Sequence, residues 1–350
     1  TFGFRYASEN GYRVWVDGKL VVDEWGVGDS PSILAGTIAL EKGKSYSLRV
    51  EAFQRGAKSR QRLVWSPPSQ NGDDAVAAAK GADVVIFVGG LSARIEGEEM
   101  KLKVPGFAGG DRTSLDLPGP QQALLERLHA TGKPVVLVLM NGSALSVNWA
   151  DANIPAIVEA WYPGGQGGAA VASLIAGDFS PAGRLPITFY KSVDQLPAFG
   201  DYAMGNRTYR YFKGDVLYPF GHGLSYTSFG YANATASSTS GTSATVSVDV
   251  TNSGAMDGDE VVQLYVTHPG VEGAPVRSLQ GFQRVSLKRG ETRTVTFTLD
   301  DRRLSIVDAG GVRRVVPGKV QLWVGGAQPV GKTAGTALEL NVTGSAVLPK

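Results

Sequence analysis

Residues 82 to 100 read Ala-Asp-Val-Val-Ile-Phe-Val-Gly-Gly-Leu-Ser-Ala-Arg-Ile-Glu-Gly-Glu-Glu-Met, and this stretch decides the fold. Its first part, up to Val88, is a short apolar run rich in β-branched residues, which predicts a strand buried on both faces of a sheet. Glycines and then acidic residues follow, so the acids lie where the strand ends. Open α/β sheets bind ligands at the carboxyl ends of their strands, because loops converge there on one crevice. We therefore predict an α/β domain with a candidate site directly after this strand.

The acidic residues of this stretch are Glu96, Glu98 and Glu99, three carboxyl groups within four positions. Ionised carboxylates this close repel one another, so at least one should have a raised pKa if another surface partly covers the loop. A carboxyl group that keeps its proton near neutral pH can act as a general acid. The alternative is a solvated acidic loop without a catalytic role, and the spacing of the acids does not decide between the two.

The charge balance is nearly neutral, with 34 basic and 32 acidic side chains in 350 residues and no basic stripe. We therefore expect no nucleic-acid partner. No apolar run approaches the ~20 residues of a membrane helix, so we expect no membrane partner either. The chain has no cysteine, and its three histidines, His129, His222 and His268, lack metal-ligand spacing. The glycine-rich turn at 164–168 lacks the pattern of a phosphate-binding loop, so we predict neither a metal nor a cofactor.

Residues 1–68 alternate between apolar and polar side chains with the period of two that is typical of β-structure. The pair Asp17-Gly18 separates two such runs, 12–16 and 20–25, and predicts a hairpin. Further predicted strands are 36–40, 43–53 and 62–65. The predicted strands carry three tryptophans, Trp15, Trp25 and Trp65. These rings could stack on sugars, although the core of a β-sandwich is the commoner place for them.

Residues 72–230 alternate between predicted strands and helices. The predicted strands are 83–88, 134–140, 154–161 and 185–189, and the predicted helices are 75–80, 121–130 and 169–176. Asp73 or Asp74 is expected to cap the first helix. This alternation implies an α/β sandwich with a mostly parallel sheet and helices on both faces.

Residues 240–345 again alternate with period two, which predicts an antiparallel β-sandwich. Its predicted strands are 245–250, 260–266, 292–299 and 319–325. The preceding stretch, Asn233 to Gly241, is polar and poor in large apolar residues, so we interpret it as a linker. The whole chain is thus predicted to be a multidomain protein of mixed α/β and all-β class.

Polar and aromatic residues follow the other strands of the predicted parallel sheet. Asn141-Gly142-Ser143 follows one strand, and Trp161-Tyr162 follows another. An aromatic pair beside a polar turn suits a sugar, whose apolar face stacks on rings while its hydroxyl groups form hydrogen bonds. The alternative is that Trp161 and Tyr162 only cap the sheet.

An ordered set of short motifs runs through residues 72–230. The motifs are Gly90-Leu91-Ser92, Glu96-Gly97-Glu98, Gly110-Asp111-Arg112, Leu117-Pro118-Gly119-Pro120-Gln121 and the stretches 160–168, 177–186 and 218–229. No single motif is decisive, but the ordered set resembles the C-terminal α/β sandwich of glycoside hydrolase family 3. In that family a (β/α)₈ barrel supplies an aspartate nucleophile, and a loop of the sandwich supplies a glutamate as general acid/base.

The resemblance assigns the general acid/base role to Glu98, with Glu96 as the fallback. Glu99 stands where other members carry glycine, and the loop from Lys101 to Gly109 is longer than in the short form of the motif. The candidate substrate-binding residues are Ser92, Trp161 and Tyr162.

The flanking segments resemble accessory domains of the same family. Residues 1–68 are similar to the second half of a protective-antigen-type carbohydrate-binding β-sandwich. Residues 240–345 are similar to a fibronectin type III-like domain, whose expected work is to brace the catalytic domains.

The resemblance implies an exo-acting retaining β-glycosidase, first of all a β-glucosidase, that acts on β-linked oligosaccharides. The alternatives are a β-xylosidase or a non-catalytic carbohydrate-binding or scaffold protein. Because this chain contains neither a barrel nor a nucleophile, we expect an N-terminal barrel segment or chain as its partner, and a homodimer also stays open. The expected location is periplasmic or secreted.

Overall fold

The computed structural model describes residues 2–5, 10–25, 33–41, 43–54, 62–65, 72–92, 95–96, 105–109, 111–331 and 333–349. The chain divides into two compact units, Thr1–Pro163 and Gly164–Lys350. No helix formed by the described residues is long and apolar enough to span a membrane.

The first unit begins with short strands in two antiparallel sheets. The strands are β1 (Phe2–Arg5), β2 (Asn10–Val16), β3 (Lys19–Glu24), β4 (Ile33–Gly36), β5 (Leu48–Gln54) and β6 (Arg62–Trp65). In one sheet β1 pairs with β4 and β6, and in the other β2 pairs with β3 and β5. This confirms the β-structure predicted for the first segment, except that the strand predicted at 36–40 already ends at Gly36, where its pairing with β1 stops.

The predicted hairpin joins β2 to β3 through Asp17-Gly18. Both residues have positive φ, 47° and 75°, as a type I′ turn requires. The alternation along β2 buries Tyr12, Val14 and Val16 on one face. Trp15 points to the opposite face, where the Arg49 guanidinium lies 3.9 Å from its ring centre.

The expectation that the tryptophans fill this core is wrong for all three, because Trp15 lies on the opposite face of β2 and the other two are exposed. Trp25 is 39% exposed and Trp65 is 60% exposed. The Arg13 guanidinium lies over the ring of Trp25, 4.6 Å from its centre, so this ring is covered from one side by a cation.

The second half of the first unit is a parallel sheet with its helices. The elements are α1 (Asp73–Lys80), β7 (Val85–Gly90), β8 (Phe107–Ala108), β9 (Asp111–Arg112), α2 (Gly119–His129), β10 (Val135–Met140), α3 (Asn148–Asn153) and β11 (Ala156–Glu159). The strand order is β11-β10-β7, and both pairings are parallel, as predicted. Leu137 and Leu139 of the central strand are almost fully buried. Gly72, with a left-handed φ of 89°, precedes α1, so the prediction that Asp73 or Asp74 caps this helix is wrong; both lie in its first turn.

The second unit starts with helices and ends in a β-sandwich. Its helices are α4 (Gly167–Ala176), a 3₁₀ helix at Val193–Gln195, α5 (Thr208–Tyr211) and α6 (Asp301–Leu304). Its strands are β12 (Phe229–Ser240), β13 (Ser243–Asn252), β14 (Gly258–Thr267), β15 (Ser278–Leu287), β16 (Thr292–Leu299), β17 (Ile306–Val307), β18 (Arg313–Val315), β19 (Gly318–Gly325), β20 (Gly335–Val342) and β21 (Ala346–Leu348). The sheet orders are β12-β13-β16, β15-β14-β19-β20 and β17-β18-β21. Buried side chains from the sheets β12-β13-β16 and β15-β14-β19-β20, mostly aliphatic, form most of the core, which confirms the predicted antiparallel sandwich.

Two predictions for the second unit are wrong. The stretch from Asn233 to Ser240, interpreted as part of a linker, belongs to β12 and pairs with β13. Its serines and threonines suit an outer strand that buries little apolar surface. The stretch 185–189, predicted as a strand, makes only an isolated bridge between Phe189 and Tyr218, because Pro186 has no N–H to continue the pairing.

A buried ion pair joins the first part of the second unit to its sandwich. Arg184 Nη2 donates to Glu260 Oε1 at 2.8 Å, and these two side chains are only 9% and 5% exposed. Arg184 Nε also donates to the carbonyl of Gly326 at 3.1 Å. Burial raises the pKa of Glu260, and the guanidinium of Arg184 opposes this rise.

We predict that Gly90→Ala destabilises the parallel sheet, because Gly90 has a φ of 122° and a Cβ there would lie 2.2 Å from the carbonyl oxygen of Met140. The free energy of local opening should fall by roughly 2–4 kcal/mol. Hydrogen–deuterium exchange of peptides from β7 and β10 measures this directly. Gly119→Ala is the matched control, since a Cβ there meets no atom within 4 Å. Equal protection in the two variants would contradict the strain argument.

Candidate active site

The carboxyl ends of three parallel strands meet at one edge of the sheet in the first unit. Gly90, at the end of β7, lies opposite Met140 of β10, and Glu159, at the end of β11, lies opposite Leu139. The residues that follow these strands contact one another across this edge. These residues therefore lie together at the strand ends, where the sequence predicted a candidate site.

The start of the acidic loop is fixed by a side-chain amide. Gln121 accepts a hydrogen bond from the Gly90 N–H at 2.7 Å and donates one to the Gly90 carbonyl at 2.8 Å. The Leu91 N–H donates to the carbonyl of Met140 at 2.7 Å, and the Leu91 side chain is buried. The chain thus leaves β7 in a defined direction.

The loop then turns at Ser92. The carbonyl of Ser92 accepts hydrogen bonds from the N–H groups of Ile95 and Glu96, both at 2.9 Å. The Ser92 side chain is exposed, so its hydroxyl group is open to a ligand, and its predicted role in substrate binding stays a prediction. The turn brings Glu96 back over the edge of the sheet.

Glu96 is held by two hydroxyl groups from the other two strand ends. Ser143 Oγ donates to Glu96 Oε1 at 2.5 Å, and the Tyr162 hydroxyl donates to Glu96 Oε2 at 2.7 Å. The Tyr162 ring packs on Gly142, where an added Cβ would lie 2.8 Å from a ring carbon. Burial, followed by the bond to Glu96, raises the pKa of Tyr162 to about 12. Both carboxylate oxygens are therefore engaged, and the side chain is anchored.

Arg112 supports the same cluster through Ser143. Its Nη1 donates to Ser143 Oγ at 2.9 Å and to the carbonyl of Ala144 at 2.7 Å, and its Nε donates to the carbonyl of Ser114 at 3.1 Å. Burial lowers the pKa of Arg112, and the nearby carboxylates of Glu96 and Asp116 oppose this. Ser143 thus links a carboxylate to a guanidinium through one hydroxyl group.

Glu159 fixes the turn that presents Tyr162. Its Oε1 accepts the Trp161 N–H at 3.1 Å, and its Oε2 accepts Asn141 Nδ2 at 3.1 Å. Trp161 has a left-handed φ of 54°, which is rare for an aromatic residue. Asn141 is fully buried and also donates to the carbonyl of Ser143. Burial raises the pKa of Glu159 to about 7.

The structure brings together four of the residues that the sequence predicted for the site, since the Ser92 carbonyl accepts the Glu96 N–H. Glu96 and Tyr162 form a direct hydrogen bond, and Trp161 lies in the adjacent turn. Glu98, the predicted general acid/base, and Glu99 lie outside the described residues. The assignment of Glu98 and the expected raised pKa within the acidic loop therefore stay predictions.

Sequence reasoning did not assign roles to Arg112, Ser143 and Glu159. Arg112 and Ser143 were visible as members of short polar motifs, but their contact depends on the fold. Glu159 carried a clearer signal, because a carboxyl group at the end of an apolar run is expected to be buried and paired. Among the described residues, no group of three or more histidine, aspartate or glutamate side chains could hold a metal ion.

Two family models match parts of this chain. Residues 14–226 match the glycosyl hydrolase family 3 C-terminal domain, and residues 260–328 match a fibronectin type III-like domain. The domain boundaries 1–68, 72–230 and 240–345 stay predictions.

Curated relatives include two glycosidases. A xylan 1,4-beta-xylosidase of Xylanibacter ruminicola is 38% identical over 320 residues, which are 90% of this chain and 37% of that protein. A periplasmic beta-glucosidase of Salmonella typhimurium is 36% identical over 85% of this chain and 40% of that protein. This chain therefore spans about two fifths of the length of these relatives.

A solved structure resembles nearly the whole chain. The beta-glucosidase from Kluyveromyces marxianus in complex with glucose superposes with a TM-score of 0.78 at 25% identity, over 99% of this chain and 43% of that one. Another, DesR, a beta-glucosidase from Streptomyces venezuelae, has a TM-score of 0.72 at 29% identity and covers 97% of this chain and 44% of that one.

We predict that Glu159 makes the stability of the first unit fall as the pH rises from about 4.5 to about 7. Its pKa in the folded state lies above the ordinary glutamate value of 4.5, so the folded state binds the proton more tightly, and stability is lost as the group ionises. The loss should be roughly 1–2 kcal/mol after allowing for partial exposure. Urea denaturation at several pH values, followed by Trp fluorescence, measures this slope.

Glu159→Gln should remove this dependence. Glu272→Gln deletes the same charge at an exposed position in the second unit. This control variant should retain the pH dependence of stability. A slope that survives in Glu159→Gln would show that another group is responsible.

Proposed function

The chain belongs to glycosyl hydrolase family 3, and we propose that it supplies the general acid/base side of an exo-acting retaining β-glycosidase. Since the chain spans about two fifths of its relatives, the proposal concerns the longer protein to which those relatives correspond. The observation that carries the proposal is the anchoring of Glu96 by Ser143 and Tyr162 at the edge of the sheet.

This anchor favours Glu98 over Glu96 as the proton-transferring group. An acid/base must reach the glycosidic oxygen and later a water molecule with a free carboxyl oxygen. Both oxygens of Glu96 already accept hydrogen bonds from protein hydroxyl groups. Glu98 follows two residues later in the motif Glu96-Gly97-Glu98, and we assign it the acid/base role while Glu96 orients the loop.

The proposed reaction proceeds in two steps with retention of configuration. A carboxylate on a barrel segment outside this chain attacks the anomeric carbon, while protonated Glu98 gives its proton to the departing oxygen. Ionised Glu98 then takes a proton from water, whose oxygen attacks the anomeric carbon and releases the barrel carboxylate. The two carboxyl groups should lie about 5–5.5 Å apart, the separation of a retaining pair.

The proposed substrate is a β-linked oligosaccharide, with Ser92, Trp161 and Tyr162 as the contacts from this chain. Terminal glucose is our first candidate sugar. Xylose is the second, because two relatives named as β-xylosidases are 38% and 43% identical to this chain. Turnover of nitrophenyl β-glucoside and β-xyloside by the full-length enzyme distinguishes the two. The likeness to a periplasmic relative supports a periplasmic or secreted location.

We predict that the barrel segment buries well over ~1,000 Å² against this chain, the size expected of a stable contact. When the two parts are produced as separate polypeptides, they should co-sediment, and only the mixture should hydrolyse the glycoside. A chain that sediments alone in the presence of the barrel segment would contradict this partnership.

We predict that Glu98→Gln in the full-length enzyme lowers turnover of a disaccharide by roughly 10²- to 10⁴-fold. The glycosylation step on a nitrophenyl glycoside should be spared, because that leaving group departs without a proton. Deglycosylation should stay slow until azide is added, since azide needs no base. Product analysis should then find a glycosyl azide of retained β configuration.

Glu96→Gln is the matched control for this test. It should reduce activity through the position of the loop, show no azide rescue and keep both limbs of the pH profile. Rescue at Glu96 and not at Glu98 would reverse the residue assignment. If neither variant is rescued, the proposed mechanism fails.

A further inference from the structure

A cavity of about 400 Å³ lies in the second unit, away from the acidic loop in sequence and formed by that unit alone. Its lining comes from residues 188–219, from Val276 and Arg277, which precede β15, and from Gln328 and Val330, which follow β19. The volume lies within the range of sites for small molecules. None of its residues has a role in the proposed glycosidase reaction.

Arg277 contributes a half-buried guanidinium to this cavity. Its Nη1 donates to Gln328 Oε1 at 2.9 Å, and buried Gln328 in turn donates to the carbonyl of Phe220 at 2.7 Å. A guanidinium has five N–H groups, and this contact uses one of them. Among the described residues, no carboxylate forms an ion pair with Arg277.

Partial burial of a guanidinium costs free energy, and among the described residues no ion pair with a carboxylate offsets this cost for Arg277. Burial accordingly lowers the pKa of Arg277. An oxyanion in the cavity would accept two parallel N–H bonds from the guanidinium and offset this cost.

Thr188 provides a second unused group in the same cavity. Its side chain is buried, and its hydroxyl oxygen has no hydrogen-bond partner among the described residues. An unpaired buried hydroxyl group costs free energy, and such groups are rare in folded proteins. A ligand oxygen can accept the hydrogen bond that Thr188 does not make within the protein.

The charge of the lining favours an anion. Lys191 and Lys213 are exposed residues of the lining, and Asp215 is its one acidic member. With Arg277, the lining therefore carries a net charge of +2, from three cations and one anion.

Aromatic side chains give the cavity a rigid apolar wall. The rings of Tyr209 and Phe220 are stacked, with their centres 4.2 Å apart. The ring of Phe212 lies edge-on to that of Tyr190, with 5.2 Å between the two ring centres. Tyr209 and Phe212 both line the cavity. A ligand with an apolar face as well as an anionic group fits this combination better than a bare inorganic ion.

We propose that this cavity binds a small organic oxyanion of about monosaccharide size, with its carboxylate or phosphate on Arg277 and a further oxygen at Thr188. The apolar body of the ligand packs beside Tyr209 and Phe212. This site is independent of the proposed glycosidase centre, so either can fail without the other.

Isothermal titration of the chain with four probes tests the proposal: glucuronate, glucose 6-phosphate, inorganic phosphate and neutral glucose. At least one of the two sugar anions should bind at least about 10-fold more tightly than glucose and inorganic phosphate. The better sugar anion distinguishes a carboxylate site from a phosphate site. Hydrogen–deuterium exchange should show protection by that anion in residues 188–219 and at Val276 and Arg277.

Arg277→Met should weaken binding of that anion by roughly 10- to 100-fold, as expected for loss of a charged hydrogen-bond donor. Thr188→Val removes the hydroxyl group at nearly constant volume and should weaken it by roughly 3- to 10-fold. Arg289→Met is the matched control, because it deletes one positive charge at an exposed residue outside the cavity, and it should bind like the wild type.

Three results would overturn the proposal. The first is that glucose and both sugar anions bind with equal affinity. The second is that a folded Thr188→Val variant binds the anion as tightly as the wild type. The third is that neither anion shows saturable binding up to ~10 mM. Melting curves verify that each variant is folded. If Arg277→Met does not fold, the affinity of Thr188→Val for the anion still tests the proposal.

Discussion

The hydrogen bonds that Glu96 accepts from Ser143 and Tyr162 hold the candidate site together. They connect three stretches that are far apart in sequence, because each stretch follows a different strand of the parallel sheet. The three groups contact one another because the parallel sheet brings the ends of its strands together. The hydroxyl donors act on the loop beyond the turn at Ser92, while Gln121 and the Leu91 N–H fix its start.

The surroundings of this anchor contain polar groups that are only partly satisfied. Arg112 Nη2 and Asn141 Oδ1 are buried and have no hydrogen-bond partner among the described residues. Each such atom costs roughly 1–3 kcal/mol of folding free energy. Glu159 adds a carboxyl group whose pKa burial raises to about 7. Unpaired buried polar atoms and carboxyl groups with a raised pKa are typical of sites arranged for binding or chemistry.

The local patterns in the sequence were sufficient for most of the fold. The Asp17-Gly18 hairpin and the two parallel pairings of β10 follow from short-range periodicity and turn chemistry, and the structure contains both. The errors arose where tertiary contacts override local character. The polar stretch from Asn233 to Ser240 forms a strand because its backbone pairs with β13. The apolar stretch 185–189 does not become one because Pro186 interrupts its pairing with 218–222.

The candidate site was predictable to a smaller extent. Glu96 and Tyr162 could be predicted as neighbours because both follow strands of one parallel sheet. The roles of Arg112 and Glu159 depend on side-chain directions, which a single sequence does not contain. A rule that flags every charged residue at the end of an apolar strand would have found Glu159, although it would not have found the left-handed turn at Trp161.

The buried pair of Arg184 and Glu260 bears on how this architecture can change during evolution. Arg184 precedes the sandwich in sequence, and Glu260 lies on a central strand within it. A recombination event that exchanged the sandwich for an unrelated one would leave the guanidinium buried without its counter-charge, at a cost of several kcal/mol. A gene fusion that replaced the C-terminal sandwich would therefore need a matching acid at the position of Glu260.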